Sequence, residues 1–213
     1  KDAEKYNIKI YKGYTVVNTS GYKRINKVSI MQLSKDGQKV IGSKISIACD
    51  CLGISGGWTP AVHLFTQSGG KLKFRDEDQV FIPDIYPSDQ ISIGSCNGDF
   101  TLDEILVDLS KTLKKFLHLK ITDYENLEVK SSFNKSKRNI WLLPSDKAIG
   151  KTKSFVDYHN DATARDIKLA LREGFRSIEH VKRYTTTGMG TDQGKLGNMH
   201  ALGIISETSN SKM

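Results

Sequence analysis

Alternating apolar and polar positions dominate the first quarter of the chain. The alternation begins at Tyr6 in YNIKIYKGYTVVNTSG, returns in KRINKVSIMQLS, and is interrupted by the turn sequence KDGQ. It then becomes a more continuous apolar run in KVIGSKISIACDCLGIS. Because successive side chains of a strand point to opposite faces, this pattern predicts three or four antiparallel strands. The last of them is expected to be buried and to carry Cys49 and Cys51.

A glycine-rich segment, GISGGWTP, ends the strand pattern. Its three glycines and its proline break the strand, and they either bring the backbone close to a ligand or form a tight turn. The next residues, AVHLFTQSGG, predict a short helix that is closed by Gly69 and Gly70.

A strand, a glycine turn and an amphipathic helix are predicted in QISIGSCNGDFTLDEILVDLSKTLKKFL. The strand ends at Ile93 and runs into residues 94–98, after which Thr101 caps a helix with one apolar face. Acidic residues in the first turn and lysines near the end suit the helix dipole. Such a turn presents backbone N–H groups to an anion or a nucleotide, although its glycines do not have the G-x-G-x-x-G spacing of the dinucleotide fingerprint.

Residues 121–153 mix a strand pattern with a cationic polar stretch, which predicts a connector between domains with solvated charges. Beyond it, NDATARDIKLALREGFRSIEHVKRY predicts two short helices. Thr163 and Asp166 form a capping box, Gly174 ends the first helix, and Ser177 caps the second.

A polar loop, TTTGMGTDQGK, follows the second helix. Its glycines imitate a dinucleotide fingerprint or a P-loop, but both of those follow a strand, and Leu196 stands where a P-loop needs Ser or Thr. One remaining interpretation is a phosphate cradle, with charge from Lys182 and Arg183 and hydrogen bonds from hydroxyls, glycine N–H groups and Gln193. The other is a hydrated loop with a threonine-rich cap.

The 213 residues carry a net charge of +8, with a pI near 9.3, so an anionic partner is expected: nucleotide phosphates, nucleic acid or an acidic subunit. No window approaches a membrane span and the first residues lack an apolar signal region, so we expect a cytoplasmic protein. Three cysteines without a framework of spacings favour reduced thiols. The C-x-C pair has no second pair, so no zinc site is predicted.

No residue is predicted to act as a catalytic acid, base or nucleophile. His63 and His180 stand alone, and lone histidines are more often structural or exposed than engaged in proton transfer. A different interpretation of the two capped helices in a basic chain is a helix-turn-helix module, which would bind duplex DNA with a steep dependence on salt.

Two long motifs and a short one carry a family resemblance: CDCLGISGGWTPAVHLFTQSGGK, SFVDYHNDATARDIKLALREGFRSIEHVKRYTTTGMGTDQGK and NMHALGI. From about Tyr6 to the last residues, the chain resembles the alpha subunits of heterotetrameric sarcosine oxidases. Those subunits are several times longer. The resemblance therefore implies an internal piece that lacks the first nucleotide-binding segment and the C-terminal folate-binding domain.

The resemblance also implies a mixed α and β fold. Residues 1–120 would be the second part of a two-nucleotide-domain flavoprotein reductase-like fold, and residues 121–153 a connector. Residues 154–213 would be a small helical domain like the [2Fe–2S] domain of bacterioferritin-associated ferredoxin. Because residues 155–213 contain no cysteine, thiolate ligation of a cluster is excluded there.

The implied activity is oxidation of sarcosine to glycine, with transfer of the methyl carbon to tetrahydrofolate and of electrons to oxygen, giving hydrogen peroxide. Such enzymes contain beta, gamma and delta subunits, FAD in beta, FMN between alpha and beta, and NAD in alpha; no nucleic-acid or membrane partner is implied. By resemblance, NAD contacts would be made by Gly94, Ser95, Gly98, Phe100 and Leu102. The FMN phosphate would be bound by Lys182, Arg183, Thr185, Thr186 and Gln193.

A nearer alternative is the alpha chain of an opine, octopine or proline dehydrogenase, which shares this architecture. The missing cluster cysteines and the phrase GGWTPAVHL favour the oxidase.

Overall fold

The computed structural model describes residues 2–87, 89–117 and 139–213 of the chain. Both helices and strands occur along it, which confirms the predicted mixed α and β class. The chain divides into two units: unit 1 comprises Lys1–Ile54 with Ile140–Met213, and unit 2 comprises Ser55–Asn139. The domain boundaries expected at residues 120 and 153 stay a prediction.

Unit 1 contains the predicted antiparallel sheet. Its three strands, β1 (Tyr14–Gly21), β2 (Ile25–Leu33) and β3 (Val40–Ala48), pair in sequence order. The central strand is buried over residues 28–31, where Val28 lies opposite Thr19 of β1 and Ile47 of β3. The hydrophobic part of the sheet therefore lies along β2.

The predicted KDGQ turn joins β2 to β3. Asp36 accepts a hydrogen bond from the Gln38 N–H at 3.1 Å, and Gly37 has a φ of 67°. A positive φ is readily adopted by glycine because it lacks Cβ. The turn prediction is confirmed at this point.

Two strand predictions are wrong. The strand pattern that starts at Tyr6 does not form a strand before Tyr14, and Ile8 and Ile10 remain 57% and 50% exposed. The short helix α1 (Asp2–Lys5) precedes them. The second error concerns the burial of β3: the predicted strand forms, but its residues are exposed or half-buried, and β2 is its sole neighbour among the described strands. Alternation yields a strand only where one face is covered.

The described residues of unit 2 form two α-helices and a hairpin. The hairpin pairs β4 (Lys71–Arg75) with β5 (Val80–Ile85) in antiparallel register. A 3-10 turn at Gly94–Asn97 precedes the long helix, where Thr101 and Glu104 form a reciprocal cap. As predicted, the short helix ends with the N–H groups of Gly69 and Gly70 donating back to Thr66 and Phe65. The elements are α2 (His63–Gln67), β4 (Lys71–Arg75), β5 (Val80–Ile85) and α3 (Leu102–Leu117).

The strand predicted before this turn is wrong in part. Ile93 has extended dihedral angles, φ −133° and ψ 147°, but residues 91–93 pair with no strand among the described residues. Extended backbone alone does not make a strand, since the ladder needs a partner. Residues 118–138, most of the predicted connector, lie outside the described residues.

An arginine fixes the glycine turn of unit 2. Arg75 Nε donates to Asp78 Oδ1 at 2.8 Å, and Nη2 donates to the other carboxylate oxygen and to the Gly98 carbonyl at 2.8 Å. The hydrogen bond with Asp78 raises the pKa of Arg75. Gly98 has a φ of 87°, and a Cβ added there would lie 2.6 Å from Arg75 Nη2. Only glycine fits this approach.

The second part of unit 1 is the small helical domain. Helices α4 (Ala164–Arg172), α5 (Ile178–Thr185) and α6 (Asn198–Ser209) contribute to one core, and a short pair of strands, β6 (Phe155–Asp157) and β7 (Ala162–Thr163), precedes them. The buried core residues are Val156, Ala164, Ile167, Ala170, Val181, Ala201, Ile204 and Ile205.

The helix caps of this domain agree with the sequence except at one hydroxyl. Thr163 and Asp166 form the predicted capping box, and the Thr163 N–H donates to Asp166 Oδ2 at 2.9 Å. Ser177 occupies the N-cap position of α5, but its side chain makes no capping bond. Its carbonyl instead accepts the first helical bond, from the Val181 N–H at 3.0 Å.

We expect Gly98→Ala to destabilise unit 2 by at least about 2 kcal/mol, because alanine is strained at a φ of 87° and its methyl overlaps Arg75. The matched control is Gly56→Ala, where φ is not positive and no atom lies within 4 Å of the added Cβ. Its free energy of unfolding should change by less than about 0.5 kcal/mol. Urea unfolding of both variants measures the difference, and equal stabilities would contradict the assigned role of Gly98.

Candidate functional site

The carboxylate of Asp157 organises the polar end of the small helical domain. Asp157 is 6% exposed, at the end of β6. Its Oδ1 accepts from the His159 N–H at 2.8 Å and from the Asn160 N–H at 3.1 Å. Its Oδ2 accepts from the Gly188 N–H at 2.7 Å and from Asn160 Nδ2 at 3.3 Å. One side chain therefore joins the β6–β7 turn to the loop that follows α5.

These hydrogen bonds decide the ionisation of Asp157. Burial opposes the charged form and would raise the pKa of the carboxyl group. The donors on Gly188, Asn160 and His159 outweigh that effect and hold the pKa of Asp157 below its ordinary value. The carboxylate is therefore a fixed anion at neutral pH.

The threonines at the end of α5 and just beyond it form hydrogen bonds within the protein. The Thr185 hydroxyl donates to the Val181 carbonyl at 2.7 Å and contacts the Thr187 hydroxyl at 2.7 Å, and both side chains are buried. The exposed Thr186, at φ 58°, donates its hydroxyl proton to the Thr185 carbonyl at 2.6 Å. Since phosphate oxygens only accept hydrogen bonds, Thr185 and Thr186 have no hydroxyl proton left to offer in this arrangement.

The two predicted cations lie in the last turn of α5. Lys182 is half-buried, with its Nζ 3.7 Å from Glu179 Oε1. Arg183 is exposed and has no hydrogen bond or ion pair with any described residue. The carbonyl end of a helix carries a partial negative charge, so both cations stabilise α5 and also attract anions to this end.

The rest of the loop is tightly folded on itself. Asp192 accepts from the N–H groups of Gly194 at 3.2 Å and Leu196 at 3.4 Å, and Gln193 Nε2 donates to the Gly190 carbonyl at 3.0 Å. The N–H groups of residues 190–192, in contrast, donate to no acceptor among the described residues. These donors, with the charges of Lys182, Arg183 and the exposed Lys195, are what this part of the chain retains for an external anion.

Two glycines of this loop accommodate one asparagine. A Cβ on Gly188 or on Gly194 would lie 2.2 Å from Asn198 Oδ1. That oxygen is buried and accepts no hydrogen bond, although Asn198 Nδ2 donates to the Gln193 carbonyl at 3.5 Å. Both glycines are thus required by the side chain at the start of α6, whatever the loop binds.

The predicted dinucleotide turn forms in unit 2. Its two glycines are buried, Phe100 is half-buried, and Ser95 and Leu102 are exposed. Asp103 and Glu104 occupy the first turn of α3, where they complement the helix dipole but repel a phosphate. The turn therefore suits the uncharged parts of a dinucleotide better than its pyrophosphate. The glycines concerned are Gly94 and Gly98.

Sequence reasoning missed Asp157 and Asn198, which position the loop. The signal for Asp157 was present, because an aspartate whose side chain bonds the backbone two and three residues later forms a recognisable turn. Asn198 gave no comparable signal, since its role depends on how the loop folds Gly188 and Gly194, ten and four residues earlier, against its side chain.

Two further features of the described residues concern metal ions and membranes. Among residues 2–87, 89–117 and 139–213, no group of three or more His, Cys, Asp or Glu side chains is placed to hold a metal ion. Within the same ranges, no helix has the length and apolar character needed to cross a bilayer.

Comparison with known proteins confirms the family resemblance. The sarcosine oxidase A3 domain family matches residues 151–213. The chain is 30% identical over 209 residues to the sarcosine oxidase subunit alpha of Corynebacterium sp. (strain P-1), and 29% identical over 209 residues to that of Rhizobium meliloti (strain 1021). The alignments cover 93% and 90% of this chain but only 21% and 20% of the relatives. This chain thus spans about a fifth of the length of the curated relatives it matches.

A solved structure shares the fold. The crystal structure of L-proline dehydrogenase from P. horikoshii superposes with a TM-score of 0.55 at 16% identity, covering 99% of this chain and 42% of that one. At this identity, the likeness concerns the fold alone.

We expect Asp157→Asn to lower the free energy of unfolding by about 1.5–3 kcal/mol at neutral pH, because an amide nitrogen would face the donors that the carboxylate now accepts. The folded-state pKa of Asp157 is lowered, so its contribution is present above the unfolded-state pKa of about 3.9 and is lost as pH falls through the lower folded-state pKa. The difference in free energy of unfolding between wild type and variant should therefore shrink as the pH is lowered.

Urea unfolding at several pH values measures this gap. Asp161→Asn, at an exposed position in the same turn, is the matched control and should show almost no effect. A gap that does not change with pH would contradict the role assigned to the Asp157 charge.

Proposed function

We propose that this chain is part of the alpha subunit of a tetrahydrofolate-dependent sarcosine oxidase. The complete enzyme would convert sarcosine, oxygen and tetrahydrofolate to glycine, 5,10-methylenetetrahydrofolate and hydrogen peroxide, with beta, gamma and delta subunits as partners. The observation that carries this proposal is the alignment with subunits of that name over 93% of the chain, through both candidate sites. The substrate-oxidising chemistry would be supplied by FAD in the beta subunit.

We propose a division of labour that follows the two candidate sites. Residues 1–120 would be the second part of a two-nucleotide-domain reductase-like fold that contacts NAD. Residues 154–213 would be the small domain that meets FMN at the boundary with the beta subunit. The match of the A3 domain family to residues 151–213 supports treating the second part as a separate domain.

The loop after α5 would bind the FMN phosphate with fewer groups than the sequence suggested. Bound FMN would pass electrons to oxygen, and this chain would hold and neutralise its phosphate. Arg183 is exposed without an ionic partner among the described residues, and Lys182 has only a 3.7 Å contact with Glu179. We assign the charge to these two residues, and to Thr186 and Gln193 a role at the edge of the site. Thr185 would shape the loop from the core.

The turn of unit 2 would contact NAD through its exposed and half-buried apolar side chains. The acidic start of α3 disfavours a pyrophosphate there, so the contact would be with a neutral part of the dinucleotide. Phe100 and Leu102 would supply apolar surface and Ser95 a hydroxyl, while Gly94 and Gly98 keep the backbone in its left-handed bends.

A second candidate is the alpha chain of a proline dehydrogenase-like enzyme, which the shared fold favours. The two candidates make different demands on the assembled enzyme. Sarcosine-dependent formation of peroxide supports the first, and proline-dependent reduction of an electron acceptor supports the second.

We expect Lys182→Gln and Arg183→Gln, each introduced into the full alpha subunit and co-expressed with its partner subunits, to weaken FMN retention by about tenfold or more, since a charged hydrogen bond contributes about 1.5–3 kcal/mol. FMN content after gel filtration is the measurement. Arg172→Gln, which removes a 76% exposed charge from the same domain, is the matched control. Unchanged FMN content at normal subunit stoichiometry and FAD content would contradict the phosphate assignment.

We expect Leu102→Ala to weaken NAD binding by about fivefold to tenfold, because the shortened side chain loses apolar contact with NAD worth about 1 kcal/mol. Calorimetric titration of the full subunit with NAD measures the affinity. Leu64→Ala, at an 85% exposed leucine of the same unit, is the control and should leave it unchanged. Equal affinities for the two variants would place NAD elsewhere.

A further inference from the structure

Cys49 and Cys51 do not lie on a buried strand. β3 ends at Ala48, and the Cys49 N–H makes a last backbone bond to the Asn26 carbonyl at 3.2 Å. The chain then bends at Asp50. Cys51 is exposed, Cys49 is half-buried, and both are free thiols. Two thiols thus lie two residues apart in the chain, just beyond the end of β3.

The backbone allows the two sulfur atoms to meet. Two residues of fully extended chain span about 6.6–7.2 Å between Cα atoms, and a disulfide requires about 4.4–6.8 Å. A bend at the intervening residue shortens the separation toward that range. No helix or strand begins between Cys51 and His63, so no ladder of hydrogen bonds has to break when the bend tightens.

The third thiol has a different environment. Cys96 belongs to unit 2, is half-buried, and donates its S–H to the Ile93 carbonyl at 3.1 Å. It has no neighbouring cysteine in sequence. It therefore serves as an internal reference for the reactivity of the other two.

We propose that Cys49 and Cys51 form a reversible dithiol–disulfide pair that is oxidised by a peroxide. The exposed Cys51 thiolate attacks one oxygen of hydrogen peroxide and breaks the O–O bond, giving a sulfenic acid and a hydroxide, which takes up the proton lost by the Cys51 thiol and leaves as water. The Cys49 thiolate then attacks the Cys51 sulfur and forms the S–S bond. The departing hydroxide takes up the proton lost by the Cys49 thiol and leaves as a second water. Two thiols are oxidised and one peroxide is reduced to two waters.

The bond is expected to be easily reduced. It closes a small ring across one residue, and strained or exposed disulfides have higher reduction potentials than structural ones. Its formation fixes the bend at Asp50 and stiffens the chain just before the exposed segment of residues 53–59. The proposal needs only a peroxide and does not depend on the activity proposed above.

The test uses the purified, fully reduced chain treated with equimolar hydrogen peroxide. We expect the three thiols to fall to one per chain, with a mass loss of about 2 Da and full recovery in dithiothreitol. Cys49→Ser and Cys51→Ser should each abolish the mass loss. The matched control, Cys96→Ser, should retain it and lose both of its remaining thiols.

Several results would overturn the proposal. One is a gain of oxygen on Cys51 while Cys49 stays reduced, and another is a disulfide-linked dimer that depends on Cys51. A third is unreacted native thiols under conditions that oxidise the urea-unfolded chain. The unfolded sample shows that the reagent is active, so an unreactive native pair counts against the geometry.

Discussion

The small helical domain depends on one buried anion. Asp157 accepts four hydrogen bonds, three of them within its own turn and one from Gly188 in the loop after α5. A carboxylate taken from water without such donors would be strongly destabilising, and these donors would in turn be orphaned without it. The turn and the loop therefore need each other. The start of the loop at Gly188 is therefore held against the β6–β7 turn.

Hydrogen bonds within the loop also limit what it can bind, because they use donors that a ligand would need. The sequence predicted that the threonine hydroxyls would donate to a phosphate. In the structure they donate to backbone carbonyls at the end of α5. What is left is charge at Lys182, Arg183 and Lys195 and the backbone N–H groups of residues 190–192. Charge acts over a longer distance than a hydroxyl hydrogen bond and tolerates looser geometry, so these cations attract an anion without a preformed set of contacts.

Local signals in the sequence predicted local structure well. The turn at Gly37, the capping box at Thr163 and the helix end at Gly69 depend on residues within a few positions of each other, and each was confirmed. Among the local signals, only the Ser177 side chain failed, since it makes no capping bond. The strand predictions that failed depended on distant partners. The alternation at Ile8 has no surface to cover it, and β3 lies at the edge of its sheet.

The predictions for the candidate sites show the same difference between local and distant signals. Sequence located the basic residues and the glycine turn, but it did not reveal that Thr185 faces the core or that Asn198 occupies the space of two missing Cβ atoms. Helix α6 went unpredicted as well, because Gly203 interrupts its apolar pattern. That glycine is required by Trp141, whose ring would lie 2.1 Å from an added Cβ.

The seating of Trp141 against α6 gives the protein a built-in optical reporter. The chain has two tryptophans, and Trp58 is 73% exposed while Trp141 is half-buried and lies edge-on to His200, with ring centroids 6.3 Å apart. The emission of Trp58 therefore comes from a solvent-exposed indole, and that of Trp141 comes from an indole in a more apolar environment next to the His200 imidazole. Detachment of the last helix would brighten or redden one indole and leave the other unaltered.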